Sequence, residues 1–372
     1  MATSKIETMS AQPAPDPSVE TVSYARALWE TMDFALGSNP NAMILGQGAD
    51  DFKGIFGSTT GLAEKYGPQR VRDMPLMEEG MTGMALGAAL NGVYPILTHI
   101  RSDFVLLSAN QIINLIAKYR YMFGGLYHLP LMIRTVIGRS WGQGAQHSQS
   151  LQSLFAHIPG LTVIAPSSAQ TVLDTYPYLV AKHRGPVITF EHRMLYSLDF
   201  EVNRADLGAI ANPLTSRLVR EGKDLTIVAA SIMVLEARRA ARWLKEQADI
   251  DVEIIDLHCL SDIDHAMILN SVRKTGRLLV LDTSWTSFGT AAEICRIVAE
   301  NEPQALKAPV RSLGMAPAPC PTAKALEDLY YPNLANVVDA AGALIRGKAA
   351  HGLPLPHERT MSDIYKKFRG PF

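Results

Sequence analysis

Short apolar runs of strand length recur along this chain, each followed by a segment whose apolar residues repeat at helical spacing. Residues 42–45 (AMIL), 94–99 (YPILTH), 130–136 (PLMIRTV), 161–165 (LTVIA) and 187–191 (VITFE) are the first set. They are nearly all apolar rather than alternating, which suits strands of a parallel sheet covered by helices on both faces. Between them lie a helix with Tyr24, Leu28 and Met32 four apart, a small-residue-rich stretch PLMEEGMTGMALGAALNG, and QIINLIAKYRYMF over 111–123. Periodicity lapses between about residues 197 and 222. It then resumes with strands over 225–230, 252–256 and 277–282, and with helices over 234–247, 264–274, 291–299, 323–329 and 334–345. The expectation is an α/β protein of two doubly wound domains, the second smaller. Its boundaries are a disordered tail over 1–20, a first domain over 21–205, a linker over 206–222, a second domain over 223–348 and an extension over 349–372.

Charge and composition narrow the function. The 372 residues carry 35 Lys and Arg against 36 Asp and Glu. That balance excludes a generally basic nucleic-acid-binding surface. No run approaches the roughly 20 apolar residues of a membrane span. The opening MATSKIETMSAQPAPDPSVE has no apolar centre, so a cytoplasmic protein is expected. Cys259, Cys295 and Cys320 are too far apart in sequence for a CxxC pair, and no Cys/His grouping has zinc spacing, so no metal ligands are assigned. The turn GQGADDFKG lacks the third glycine of a dinucleotide fingerprint, and no GxxxxGK[ST] sequence occurs.

Three segments remain that could carry chemistry: PLMEEGMTG, HIRSDFVLLSANQ and GQGAQHSQ. Singly, each has an ordinary structural explanation. Glu78 and Glu79 would favour a helix N-terminus through the macrodipole, His147 could cap a helix, and Phe104 could be core.

In this order they resemble the β subunit of thiamine-diphosphate-dependent 2-oxoacid dehydrogenase E1 components, a family that includes pyruvate, branched-chain and acetoin-cleaving enzymes. KYGPQRVRDMPLMEEGMTGMALGAALNG, NQIINLIAKYRYMFGG, GQGAQHSQSLQSLFAHIPGLTVIAPSSAQ and PVITFEHRMLY carry the resemblance in the first domain. VEIIDLHCLSDID, LLVLDTSWTSFGTAAEICRIV and APVRSLGMAPAPCPTAKALED carry it in the second. It spans about residues 20–346. It implies a pyrimidine-binding first domain and a transketolase C-terminal-like second domain.

The resemblance also implies roles. Thiamine diphosphate supplies a thiazolium carbon that serves as nucleophile and then as electron sink. Its activation needs a carboxyl group hydrogen-bonded to the aminopyrimidine, the glutamate of a P-x-x-E-x-G pattern. That position is Glu78, four places into PLMEEG, rather than Glu79. Phe104, placed by the register of the downstream Gln111, matches the aromatic ring stacked on the pyrimidine. His147 matches the histidine of QHSQ that handles the substrate-derived group. The family's GDG segment, which holds the diphosphate and its Mg2+, is absent. The implied partner is therefore an α-type subunit carrying GDG, in an α2β2 assembly that also docks on a lipoyl transacylase core. A split transketolase or acyloin synthase is the alternative. Three residues depart from the family pattern: Gln47 in place of a common glutamate, and Arg101 and Asp103 in RSDF. Arg101 could meet an anionic substrate or pair with Asp103 on the surface, and the surface pairing is the favoured expectation.

Overall fold

The computed structural model describes residues 18–138, 142–347 and 352–357. Most of the expected N-terminal tail and of the C-terminal extension therefore lies outside the described residues. The strands are β1 Val19–Ser23, β2 Ala42–Gly46, β3 Val71–Arg72, β4 Tyr94–His99, β5 Leu131–Ile137, β6 Thr162–Ile164 and β7 Pro186–His192. They continue with β8 Asp199–Asn203, β9 Arg217–Arg220, β10 Leu225–Ala229, β11 Val252–Asp256, β12 Leu278–Trp285 and β13 Arg311–Met315. Six form a parallel sheet in the order β3-β2-β4-β5-β7-β6. Five form a second sheet in the order β13-β12-β10-β11-β9, parallel except for the antiparallel edge strand β9. β1 and β8 make a separate antiparallel ribbon.

The continuously apolar runs became the central strands, with every residue of β4, β5 and β7 buried. Besides β13 (RSLGM), three strands fall where the sequence showed no period: β1, β8 and β9. β9 lies inside the stretch expected as linker, and β1 begins inside the expected tail. Their residues (VETVS, DFEVN, RLVR) are largely polar and only partly buried, so hydrophobic patterning carried little signal for them. Helix ends follow local chemistry. Ser23 caps Tyr24–Ser38 by accepting from Arg26 N at 3.1 Å, and Ser168 and Thr171 form a reciprocal capping box at Ala169–Ala181. The helix expected over 111–123 is divided. Asn110–Ile116 winds as a π-helix, with Ala117 N bonding Ile112 O at 2.9 Å, and Tyr119–Met122 follows as a separate turn.

A buried ion pair braces the first sheet from within. Arg134 on β5 and Glu191 on β7 are both fully buried and meet in a two-pronged bond, Nε to Oε1 at 2.8 Å and Nη2 to Oε2 at 2.9 Å. Glu191 also accepts from the Tyr176 hydroxyl at 2.7 Å and from Tyr196, while Ser58 accepts from Arg134 at 3.2 Å. Burial pushes the Glu191 carboxyl up, but the Arg134 charge and these hydrogen bonds outweigh it and hold the group below its usual range.

The two domains are joined by backbone pairing at the edge of the first sheet. Leu260 N donates to Val163 O at 2.8 Å and Ala165 N to His258 O at 2.9 Å, beside β6. Side chains extend the seam. Ser167 donates to Asp256 at 2.5 Å, Arg217 pairs with Asp174 at 2.7 Å, and Thr175 Oγ1 lies 2.9 Å from His258 Nε2. Burial depresses His258 to a pKa of about 3 and raises Asp256 to about 6.

Candidate active site

The chain reverses its winding between β2 and β4, since β3 lies on one side of β2 and β5 on the far side of β4. In an open parallel sheet, such a switch point leaves a crevice beyond the carboxyl ends of the strands. Gly46 ends β2 and His99 ends β4, and the three candidate segments all follow strand ends on this edge.

Glu78 is the first residue of helix Glu78–Leu90 and is buried, only 8% exposed. Pro75, Leu76 and Met77 before it are exposed. Among the described residues, nothing hydrogen-bonds or ion-pairs with the Glu78 carboxylate. Its oxygens are not among the fully buried unpartnered atoms, so what little of this residue is exposed leaves the carboxyl group open to a ligand from outside the chain. Its neighbour Glu79 is exposed and is engaged elsewhere, accepting from Gln111 Nε2 at 3.0 Å.

Phe104 sits in the short helix Ser102–Val105, half-buried. His147, also half-buried, packs edge-on against it with ring centroids 5.2 Å apart and planes at 79°. The structure thus brings two of the three predicted residues into contact. The loop that carries His147 is fastened to the Phe104 helix. Asp103 Oδ1 accepts from Gln149 N at 3.2 Å and Nε2 at 2.9 Å, and Ser102 donates to Gln149 O at 2.7 Å. Sequence reasoning did not single out Gln149, although its spacing of two from His147 was the available signal.

Arg101 and Asp103 are not on the surface, as the sequence reading expected. They are 4% and 8% exposed. RSDF follows a central strand, so its polar residues turn inward against Gly138 and Gln149. Arg101 Nη1 reaches Gly138 O at 3.5 Å. Burial, together with the Arg193 charge, lowers Arg101 to a pKa of about 10, and burial raises the Asp103 carboxyl despite the Gln149 bonds.

Behind these groups lie three buried side chains unremarked in the sequence. Thr82 Oγ1 donates to Ser108 Oγ at 2.9 Å and stands 3.3 Å from His99 Nε2. Burial depresses His99 to a pKa of about 4.

Comparison with known proteins gives this arrangement its family. Residues 20–198 match the transketolase pyrimidine-binding domain and residues 215–337 the transketolase C-terminal domain. The chain is 39% identical over 339 residues to the β subunit of acetoin:2,6-dichlorophenolindophenol oxidoreductase from Cupriavidus necator, covering 88% of this chain and 98% of that one. It is 37% identical over 319 residues to the mitochondrial pyruvate dehydrogenase E1 subunit beta-1 of Arabidopsis thaliana, covering 85% and 87%. The chain belongs to this family of transketolase-like dehydrogenase β subunits.

As an E1 β-type chain it carries Glu78, Phe104 and His147 within the pyrimidine-binding match, and the five-stranded sheet within the C-terminal match. A solved structure described as a split-gene transketolase, inactive beta4 tetramer, superposes with a TM-score of 0.70 over 87% of this chain and 96% of that one. At 22% identity that likeness speaks for the shared fold alone. The residues fit an aminopyrimidine. The Glu78 carboxyl, unpartnered among the described residues, offers a hydrogen-bonding partner and the half-exposed Phe104 ring a stacking surface. Among the described residues, no cluster of His, Cys, Asp or Glu is arranged to hold a metal ion.

Proposed function

We propose that this chain is the β-type subunit of a thiamine-diphosphate-dependent 2-oxoacid dehydrogenase E1 component, with Glu78, Phe104 and His147 as its catalytic and cofactor-binding residues. The observation that carries the reading is Glu78, a residue only 8% exposed at a helix start whose carboxyl group has no partner among the described residues. When bound, thiamine diphosphate supplies the carbon nucleophile and the electron sink that decarboxylation requires. Glu78, at the start of its helix and only 8% exposed, is the carboxyl group that would hydrogen-bond the pyrimidine nitrogen. Phe104 orients the ring by stacking. His147, half-exposed and propped against Phe104, hydrogen-bonds the substrate oxygen and moves a proton to or from it.

The diphosphate and Mg2+ belong in this reading to an α-type partner bearing the GDG segment, in an α2β2 complex. Exposed apolar side chains near Glu78 and Phe104 in the chain support a large partner: Leu76 and Leu107 are 82% and 59% exposed. The second domain is assigned to pairing of β-type chains and to docking on a lipoyl transacylase core. None of the described helices is long and apolar enough to cross a membrane, and a cytoplasmic complex is proposed. The C. necator relative's printed name puts acetoin beside 2-oxoacids as a substrate to test.

The test is co-expression with the α-type partner, followed by dye reduction with pyruvate, branched 2-oxoacids or acetoin. Glu78→Gln should lower the turnover at least about 100-fold, the usual contribution of a positioned acid–base group. Unchanged activity in Glu78→Gln would remove its assignment. Carboligation without any dye reduction would favour the acyloin-synthase alternative.

A further inference from the structure

We propose that Thr82 is a positioning residue, whose hydroxyl fixes the distance between the Glu78 carboxyl and the Phe104 ring by fastening their two helical segments together. The inference rests on the thiamine-site reading above. Thr82 follows Glu78 by four residues on helix Glu78–Leu90, so the two lie on one face, roughly 6 Å apart along the axis. Ser108 follows Phe104 by four residues along the contiguous helical turns Ser102–Val105 and Leu106–Ser108. The hydrogen bond between Thr82 and Ser108 thus joins the two segments one turn beyond each candidate site residue, in matching register.

Its setting makes the bond hard to replace. Thr82 and Ser108 are fully buried and His99 is 2% exposed, so water cannot stand in for a missing hydroxyl. The single Thr82 proton goes to Ser108. His99 Nε2, 3.3 Å away, then carries its own proton toward Thr82 Oγ1, which leaves the buried and unpartnered Nδ1 as the bare nitrogen of a neutral ring. A threonine hydroxyl that accepts from one element and donates to another fixes three at once: the end of β4, the Glu78 helix and the Phe104 segment. The bond from Gln111 to Glu79 ties the Glu78 helix to the following Asn110–Ile116 turns instead, and it is only part-buried, so water can replace it. A site that grips a flat ring from two elements tolerates misplacement of only about 0.5 Å.

The experiment uses the reconstituted complex and measures thiamine diphosphate binding by calorimetry alongside thermal stability. Thr82→Val removes the hydroxyl at nearly constant volume and should weaken cofactor binding about tenfold, and Thr82→Ser should restore it to within about twofold. Ser108→Ala should show the same loss, and it keeps the test open if Thr82→Val fails to assemble. Thr226→Val is the matched control. Thr226 is equally buried and bonds Ser271 and Thr275 at 2.6 and 2.7 Å, but lies in the second domain. It should cost stability without changing cofactor affinity. If Thr82→Val and Thr226→Val lose stability alike and both bind the cofactor normally, Thr82 is structural and the proposal is overturned. Glu78→Gln in parallel separates the cases: its failure to matter would defeat the site reading itself, whatever Thr82 does.

Discussion

Arg134→Met tests the internal brace that aims two of the strand ends at the site. Arg134 and Glu191 have no exposed surface, so the substitution leaves the Glu191 carboxylate buried, holding the Tyr176, Tyr196 and Thr189 hydroxyls but no cation. Removing one partner of a buried pair costs about 3–5 kcal/mol, chiefly for the stranded charge. At about 2–4 °C per kcal/mol for a domain of this size, the melting temperature should fall by roughly 6–20 °C. The hydroxyl donors that remain favour the lower half of that range. Thermal unfolding of the purified chain, followed by circular dichroism, reads the value. Adding Glu191→Gln to Arg134→Met removes the stranded charge and should recover part of the loss, which the single variant Glu191→Gln would not do for a still-charged Arg134. A fall under about 1 kcal/mol in Arg134→Met, or a double variant worse than the sum of the singles, would refute the assignment of the brace as a coupled ion pair.

Two further predictions follow from the site and the seam. Phe104→Leu keeps an apolar side chain but loses the ring. It should weaken cofactor binding about fivefold, because ring stacking is worth about 0.5–1.5 kcal/mol beyond area burial; an unchanged affinity by titration calorimetry would take Phe104 out of the site. The domain seam should be acid-sensitive through His258. Its folded pKa lies near 3, below the ordinary value of about 6.5. The unfolded chain therefore takes up the proton first, and stability is complete above about pH 6.5 and falls as pH drops toward 3, by up to about 1.4 kcal/mol per unit. Asp256, raised to about 6, acts in the opposite sense, and His99 in the same sense. Comparing wild type with His258→Asn isolates one group: the variant should lose less melting temperature between pH 7 and 5, and equal losses would reject the role.

The legible parts of this chain were those whose residues answer to one dominant force. β4 was read to the residue because YPILTH is buried along its whole length, and the helix over 334–345 because its apolar face repeats without interruption. β8 and β9 were invisible because their backbone bonds, not their side chains, place them. The site followed the same rule. Glu78 and His147 were picked out by their motifs, and the structure brings the His147 ring edge-on to Phe104. Arg101 and Asp103 were put on the surface because charge ordinarily goes there, whereas here Gln149 and the Gly138 carbonyl receive them inside. Thr82, Ser108 and His99 are not contiguous in sequence, and only their convergence in space gives them meaning.

The seam beside β6 also limits how the chain can be divided. β6 is the outermost strand of its sheet, and its open side is covered by residues 258–260 of the other domain. Cut after the first domain, the chain would present a short, apolar, uncapped edge of Thr162–Ile164 to solvent, a template for pairing with another copy. The pyrimidine-binding half would then be sticky rather than soluble. Any shuffling or dissection of this chain that spares both sheets but breaks at residue 205 should yield aggregates, while grafts that carry residues 252–262 along should not.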